Sequence, residues 1–249
     1  MVTRIVTTVL AIIALPLTGC GVGEYQQRIE QGVKELSSSS VYQKLNPSTP
    51  IGDTPVEIRV PQQFEQAPLV DGAPIPESGE PPEPTRVRPL GLEIPGLRLT
   101  YEGHVEDSAG GKIPYYLYVS VADKETHARR KADLTARLQA LFREVLPEAR
   151  FDWQQVQVPT PQGGGVDWKY TRLDAEQPFR YIGPEGDVRK VEMPGVLDFY
   201  HRVEGDWLVT LIWRLPRSIV GSVELDRWAP MVAGTVKVKS GDAPATPQP

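Results

Sequence analysis

Hydrolysis, phosphoryl transfer and metal chemistry each need a few side-chain types at fixed spacings, and in this chain those types are sparse and scattered. The three histidines, His104, His127 and His201, fall on separate stretches, and no His-x-x-x-His or Cys-x-x-Cys pair with zinc-ligand spacing occurs. No Gly-x-Ser-x-Gly turn presents a serine nucleophile; Ser108, Ser120, Ser218 and Ser222 read as loop, strand and cap residues. The carboxylates Glu102, Glu106 and Asp107, and Glu185 with Asp187, read as solvated turns. Gly163-Gly164-Gly165 lacks the following Lys-Ser or Lys-Thr of a phosphate cradle, so it reads as a hairpin loop. The expectation is no catalytic set, no metal and no cofactor. Two features remain. One is the single thiol, Cys20; the other is the run Arg129-Arg130-Lys131, where positive charge at the start of a helix opposes the macrodipole. That run is either a partner surface for an anionic molecule or a solvated flank answered by Glu125 and Asp133.

What precedes Cys20 determines its chemistry. Arg4, an uncharged run from Ile5 to Leu17 and then small residues reproduce the positive, apolar and cleavage regions of a secretory signal. The apolar part from Ile5 to Leu15 is short of the roughly 20 residues that span a bilayer, and Pro16 and Gly19 break it. Leu17-Thr18-Gly19-Cys20 resembles the lipobox of bacterial lipoproteins. The resemblance implies that the Cys20 sulfur receives a diacylglycerol, that residues 1–19 are removed as a signal peptide, and that the new amino terminus is acylated, for instance with palmitate. It places the protein in the bacterial cell envelope, exported to the periplasmic or surface side and joined to a membrane through lipid on Cys20. With Cys20 consumed, no thiol is left for a disulfide.

Charge agrees with that anchor. The formal net charge is −5, and loss of Arg4 makes it more negative, which argues against nucleic acid as a partner and against electrostatic adhesion to anionic membranes. Two or three acyl chains hold stably where one holds weakly.

Taken in order, residues 20–45 form the lipid anchor and a short helix with Tyr25, Ile29, Val33 and Leu36 on one stripe. Residues 46–95 carry 12 of the 25 prolines and read as a tether, with Val56 to Val60 alternating as an edge strand. The folded domain is assigned to 96–239 and a loose tail to 240–249, so a chain beginning near Pro89 is expected to fold unless the 56–60 strand belongs to the core. Within the domain, Leu97 to Tyr101 pairs with Tyr115 to Val121 as a hairpin. Leu134, Leu138, Leu141, Phe142 and Val145 give a helix over 124–146, with Asp123 as its cap. Trp153 to Val158 and Val166 to Leu173 make a second hairpin, 179–193 a loop, and 196–203 a strand that returns through Glu204-Gly205-Asp206 into Trp207 to Leu215, the most apolar and therefore central strand. A last helix spans 222–236, with Pro230 forcing its start or a kink.

The fold class is α+β, an antiparallel sheet covered by helices. The closing order, a strand, the tight Glu204-Gly205-Asp206 turn, an apolar strand ending in Arg214-Leu215-Pro216 and a helix carrying Trp228, resembles the end of the PsbP-type α-β-α sandwich of photosystem extrinsic proteins and their bacterial relatives. The resemblance covers Leu97 to Val238 and implies a fold, with no catalytic or metal motif to carry over. The reading that follows is an envelope lipoprotein with a non-catalytic binding or structural domain, whose partner is another envelope component. The alternatives are an envelope hydrolase, marked by His201 beside a buried carboxylate, and a carrier of a small apolar ligand, marked by a closed apolar cavity. Tyr115, Tyr116, Tyr118, Tyr170, Trp168, Trp207 and Trp213 are the aromatics available to line a groove.

Overall fold

The computed structural model describes residues 42–66, 88–123 and 134–239, which belong to one compact unit. Cys20 and its lipobox, the stripe of the first helix, the stretch 67–87, His127, the run Arg129-Arg130-Lys131 and the tail from 240 lie outside the described residues.

Short strands β1 (Thr49–Pro50) and β2 (Val56–Ile58) come first, then β3 (Glu65–Gln66). Long strands β4 (Leu97–Glu106) and β5 (Lys112–Asp123) form the expected hairpin, and helix α1 (Leu134–Val145) follows. Strands β6 (Gln154–Pro159), β7 (Gly165–Ile182), β8 (Val188–Glu204) and β9 (Trp207–Pro216) then run as a meander. Helices α2 (Val220–Val223) and α3 (Leu225–Gly234) and strand β10 (Lys237–Val238) close the chain. The main sheet has seven strands in the order β3-β4-β5-β9-β8-β7-β6, all antiparallel, so β9 sits at its centre. Its apolar run predicts that position, because a strand covered on both faces has no reason to alternate.

Strand alternation sends successive residues to opposite faces. On β9, Val209, Leu211, Trp213 and Leu215 join a core that includes Leu225, Trp228 and Val232 of α2–α3 together with Ile51, Val56 and Ile58. Leu208 and Ile212 face the other way, into a second core with Leu138 and Phe142 of α1. The architecture is therefore an antiparallel sheet covered by helices on both faces, an α+β sandwich. Among the described residues no helix is long and apolar enough to cross a membrane.

Three expectations need correction. The 46–95 stretch does not begin as a tether: β2 is the middle strand of a small sheet β1-β2-β10, with Val56 and Ile58 fully buried. Its apolar alternation is a core signal that the surrounding prolines mask. Tyr42 to Leu45, at the end of the stretch 20–45, make a turn whose Leu45 bridges Pro61. Residues 179–193 are not a loop but the distal half of the β7–β8 hairpin, in register from Lys169↔His201 to Ile182↔Val188 and turned by Gly186 at φ 85°. Phe179 is the one large apolar residue buried in this stretch and Val188 is 52% exposed, so the β8 half carries no buried stripe to announce it. Finally, the last helix breaks at Glu224, whose φ of 52° is left-handed, while Pro230 lies inside α3.

The distal hairpin bends across the sheet once β9 has ended at Pro216. Ile182 pairs with Lys112 of β5, and the Tyr181 hydroxyl donates to Asp107 Oδ2 at 2.8 Å. That bond and backbone N–H groups around Gly111 hold the Asp107 carboxyl below its ordinary range.

Candidate functional site

At the end of the sheet where β4 begins and β5 ends, the chain leaves an open groove of about 480 Å³ beside α1. Its apolar lining is Ile94, 5% exposed, and Ala122, 8% exposed, both from the core shared with α1, while Val121 is fully buried with its side chain in the opposite core. The loop that brings Ile94 and Pro95 over β5 is fixed by three bonds. The Val121 amide donates to Gly96 O at 2.8 Å, Ser120 Oγ donates to Pro95 O at 2.7 Å, and the Leu97 amide donates to Ile94 O at 3.1 Å. Gly96 has φ +73°, and a Cβ there would stand 2.6 Å from Val121 O, so this close approach needs glycine.

The half-buried Trp207, first residue of β9, forms a wall of the groove. Four charged residues surround the floor. Arg98 stands 3.4 Å from Asp53, and Glu93 is bonded to Arg88 at 2.9 Å. Asp123, read from sequence as a helix cap, is the last residue of β5 and already has a partner. Arg137, on the first described turn of α1, lines the groove, and its side chain has no hydrogen-bonded or ion-paired partner among the described residues. The arrangement is suited to holding an apolar body near cationic nitrogen.

Most of the aromatic set does not line a groove. Tyr115, Tyr116, Tyr118, Trp168 and Trp213 are buried in the two cores, and Tyr170 is half-buried over Tyr200, which leaves Trp207 at the groove. The two described histidines, His104 and His201, are not gathered. His104 Nε2 lies 3.2 Å from Oε1 of the buried Glu102, while His201 Nδ1 lies 3.0 Å from Thr210 Oγ1. The buried carboxylate of Asp198 is on the same strand as His201, three residues away, so it points to the opposite face. His201 and Tyr200 are both buried, because the sheet is covered on both sides. Among the described residues no group of three or more His, Cys, Asp or Glu is placed to hold a metal ion.

Two charge arrangements, each built on one buried charged residue, escaped the sequence reading. Arg172 reaches both Asp198 oxygens at 2.6 Å and Asp226 Oδ1 at 2.6 Å, and Tyr170 donates to Asp198 at 3.1 Å, tying α3 to the sheet. Burial pushes the Asp198 carboxyl up, against the pull of the Arg172 guanidinium. The second centres on Arg214, 1% exposed, whose Nε donates to Gln177 Oε1 at 3.2 Å and whose Nη2 donates to Pro178 O. Its guanidinium carbon lies 4.5 Å from the Phe179 ring centre and 5.5 Å from that of Tyr116. Burial lifts the Tyr118 hydroxyl to about 12, with Arg214 pulling the other way. A signal was available for both: a lone charge inside the apolar runs Val196 to Tyr200 and Trp207 to Leu215 marks a buried partner.

No family model and no curated protein matches the chain. Among solved structures it is similar to the cyanobacterial PsbP of Synechocystis, at 13% identity over 78% of this chain and 92% of that one, with a TM-score of 0.36. It is also similar to the Ran-binding protein Mog1p of Saccharomyces cerevisiae, at 13% identity over 78% of this chain and 96% of that one, with a TM-score of 0.38. A protein of Bacteroides thetaiotaomicron is similar at 12% identity, over 62% of this chain and 48% of that one, with a TM-score of 0.30. These likenesses are of fold and are weak, so the α+β assignment stands on this chain's own layers and strand order.

Proposed function

We propose that the chain is an exported lipoprotein, held at a membrane of the bacterial cell envelope by lipid on Cys20, whose sandwich domain binds another envelope component without catalysing a reaction on it. The observation that carries the reading is the placement of the only cysteine at the end of an apolar leader in Leu17-Thr18-Gly19-Cys20. Support on the domain side comes from the groove, which is open and rimmed by charge rather than closed and apolar, and which has an indole in its wall. Asp198 lies on the other face of β8 from His201, so the pairing that would mark the hydrolase alternative is not formed by these two residues.

The test is metabolic labelling with a radioactive fatty acid in a bacterial host, comparing the natural chain with Cys20→Ser. The natural chain is expected to incorporate label and to stay with membranes through a carbonate wash. The Cys20→Ser chain is expected to take no label and to leave the membrane fraction or accumulate with its leader uncut. Label on Cys20→Ser would sink the reading, since no second thiol exists to carry it.

A further inference from the structure

We infer that the groove at the start of β4 binds an amphiphilic anion, an apolar body carrying one carboxylate or phosphate, with the head on Arg137 and the body over Ile94 and Ala122 beside Trp207. The inference rests on the proposal that the domain is a binding module, and names the chemistry its groove selects.

The charges around the groove do not cancel in effect. Both carboxylates of the lining already have partners: Glu93 is held by Arg88 at 2.9 Å, with its side chain 81% exposed, and Asp123 is not free. Arg98 is shared with Asp53 at 3.4 Å, a loose contact to a carboxylate that is 85% exposed. Arg137 alone of the four has no partner among the described residues. A half-buried guanidinium beside apolar surface retains a fork of donors matched to a carboxylate or phosphate, and such charge-assisted pairs are the strong ones. The floor and the indole wall supply what a hydrated inorganic anion cannot use. A cavity of about 480 Å³ is in the range that holds small organic ligands. An apolar molecule without the head would leave Arg137 unanswered, and one with a cationic head would meet it directly.

The probes are naphthaleneacetate, naphthyl phosphate, the neutral naphthaleneethanol and the cationic naphthalenemethylamine, added to the full-length protein labelled with fluorotryptophan. The Trp207 fluorine resonance is assigned by Trp207→Phe, and protein-free lipid discs correct for partition into membrane. Both anions are expected to shift that resonance saturably, and at least tenfold more tightly than the alcohol or the amine. Arg137→Gln is expected to weaken the anions about tenfold without changing the alcohol, and Arg137→Lys to recover part of the loss. Arg98→Gln, at a cation already shared, should weaken them only about two- to threefold. Relative affinities of the carboxylate and the phosphate separate the two head groups. Equal binding of acid and alcohol, an unmoved Trp207 resonance, or indifference to Arg137→Gln in a protein with unchanged thermal unfolding each overturns the inference. If the anions fail while label remains on Cys20, the anchored lipoprotein reading stands without this ligand; if label is lost while the anions bind, the reverse holds.

Discussion

Replacing Trp213 by alanine tests whether the face shared by α3 and the small sheet is core or a place for a partner to dock. Trp213 is 1% exposed at the centre of the main sheet, paired with Leu117 of β5 and Asp198 of β8, and its ring meets Phe64 edge-on at 5.5 Å between centres. Truncation to Cβ removes roughly 150 Å² of buried apolar surface, about 4 kcal/mol at ~25 cal/mol per Å². The lost ring pair adds about 1 kcal/mol. Against this, the indole Nε1 is buried with no acceptor among the described residues, and its removal returns about 1 kcal/mol. The net is about 3 to 5 kcal/mol, the usual cost of emptying an aromatic core site. Urea unfolding followed by far-ultraviolet circular dichroism should show that loss with an unchanged denaturant slope. Trp207→Ala, at the half-buried groove wall, should cost only about 1 kcal/mol by the same assay. If Trp213→Ala costs less than about 1 kcal/mol, the burial argument fails and this face is open to a partner.

Arg172→Ala strands the buried Asp198 carboxylate. Because Arg172 is itself 32% exposed and partly screened, the expected loss is about 2 to 3 kcal/mol rather than the full value for a buried pair. Asp198 already has its carboxyl pushed above the ordinary 3.8, and loss of the guanidinium raises it further, so the folded state holds its proton more tightly than the unfolded one. The deficit relative to the natural protein should therefore shrink as pH falls towards 4 and grow as pH rises through the raised value; a pH-independent deficit in urea midpoints would show that the carboxylate is not its source. Gly234→Ala improves helix propensity by about 1 kcal/mol, yet its Cβ would stand 1.8 Å from Pro159 O, so melting temperature is expected to fall and a rise would refute the close approach of α3 to β6. A chain beginning at Pro89 lacks β2 and Phe64 and should show no cooperative thermal transition, whereas one beginning at Ser40 should; cooperative unfolding of the shorter chain would return Val56 to Val60 to the tether.

The central place of β9 follows from an unbroken apolar run, and the β4–β5, β6–β7 and β8–β9 hairpins follow from alternation bounded by Gly, Pro and acidic turns. Those are local signals, written wherever burial on one or both faces repeats at period two. In α1, Leu138 and Phe142 face the core as their spacing requires, but Val145 is 41% exposed and Leu146 takes its place, since a helical stripe drifts around the axis and packing decides which edge is covered. The Pro-rich stretch misled for a related reason. Pro55 and Pro61 bound β2, but only the assembled domain supplies the strands β1 and β10 that pair with it and the core that takes up Val56 and Ile58. The distal hairpin was illegible because Phe179 is its one large buried apolar residue and its neighbour, Lys112 of β5, is reached only by bending over the end of β9. The groove is the least local feature. Ile94, Arg98, Val121, Arg137 and Trp207 come from separate elements, and no spacing in the chain brings an indole, two guanidinium groups and an apolar floor to one place. By itself the sequence determines the thiol at Cys20, the charge and the strand periods, because each depends on neighbours along the chain. Which side chains meet across the sheet was decided only by tertiary structure, because strand register and helix placement minimise exposed apolar area over the whole domain at once.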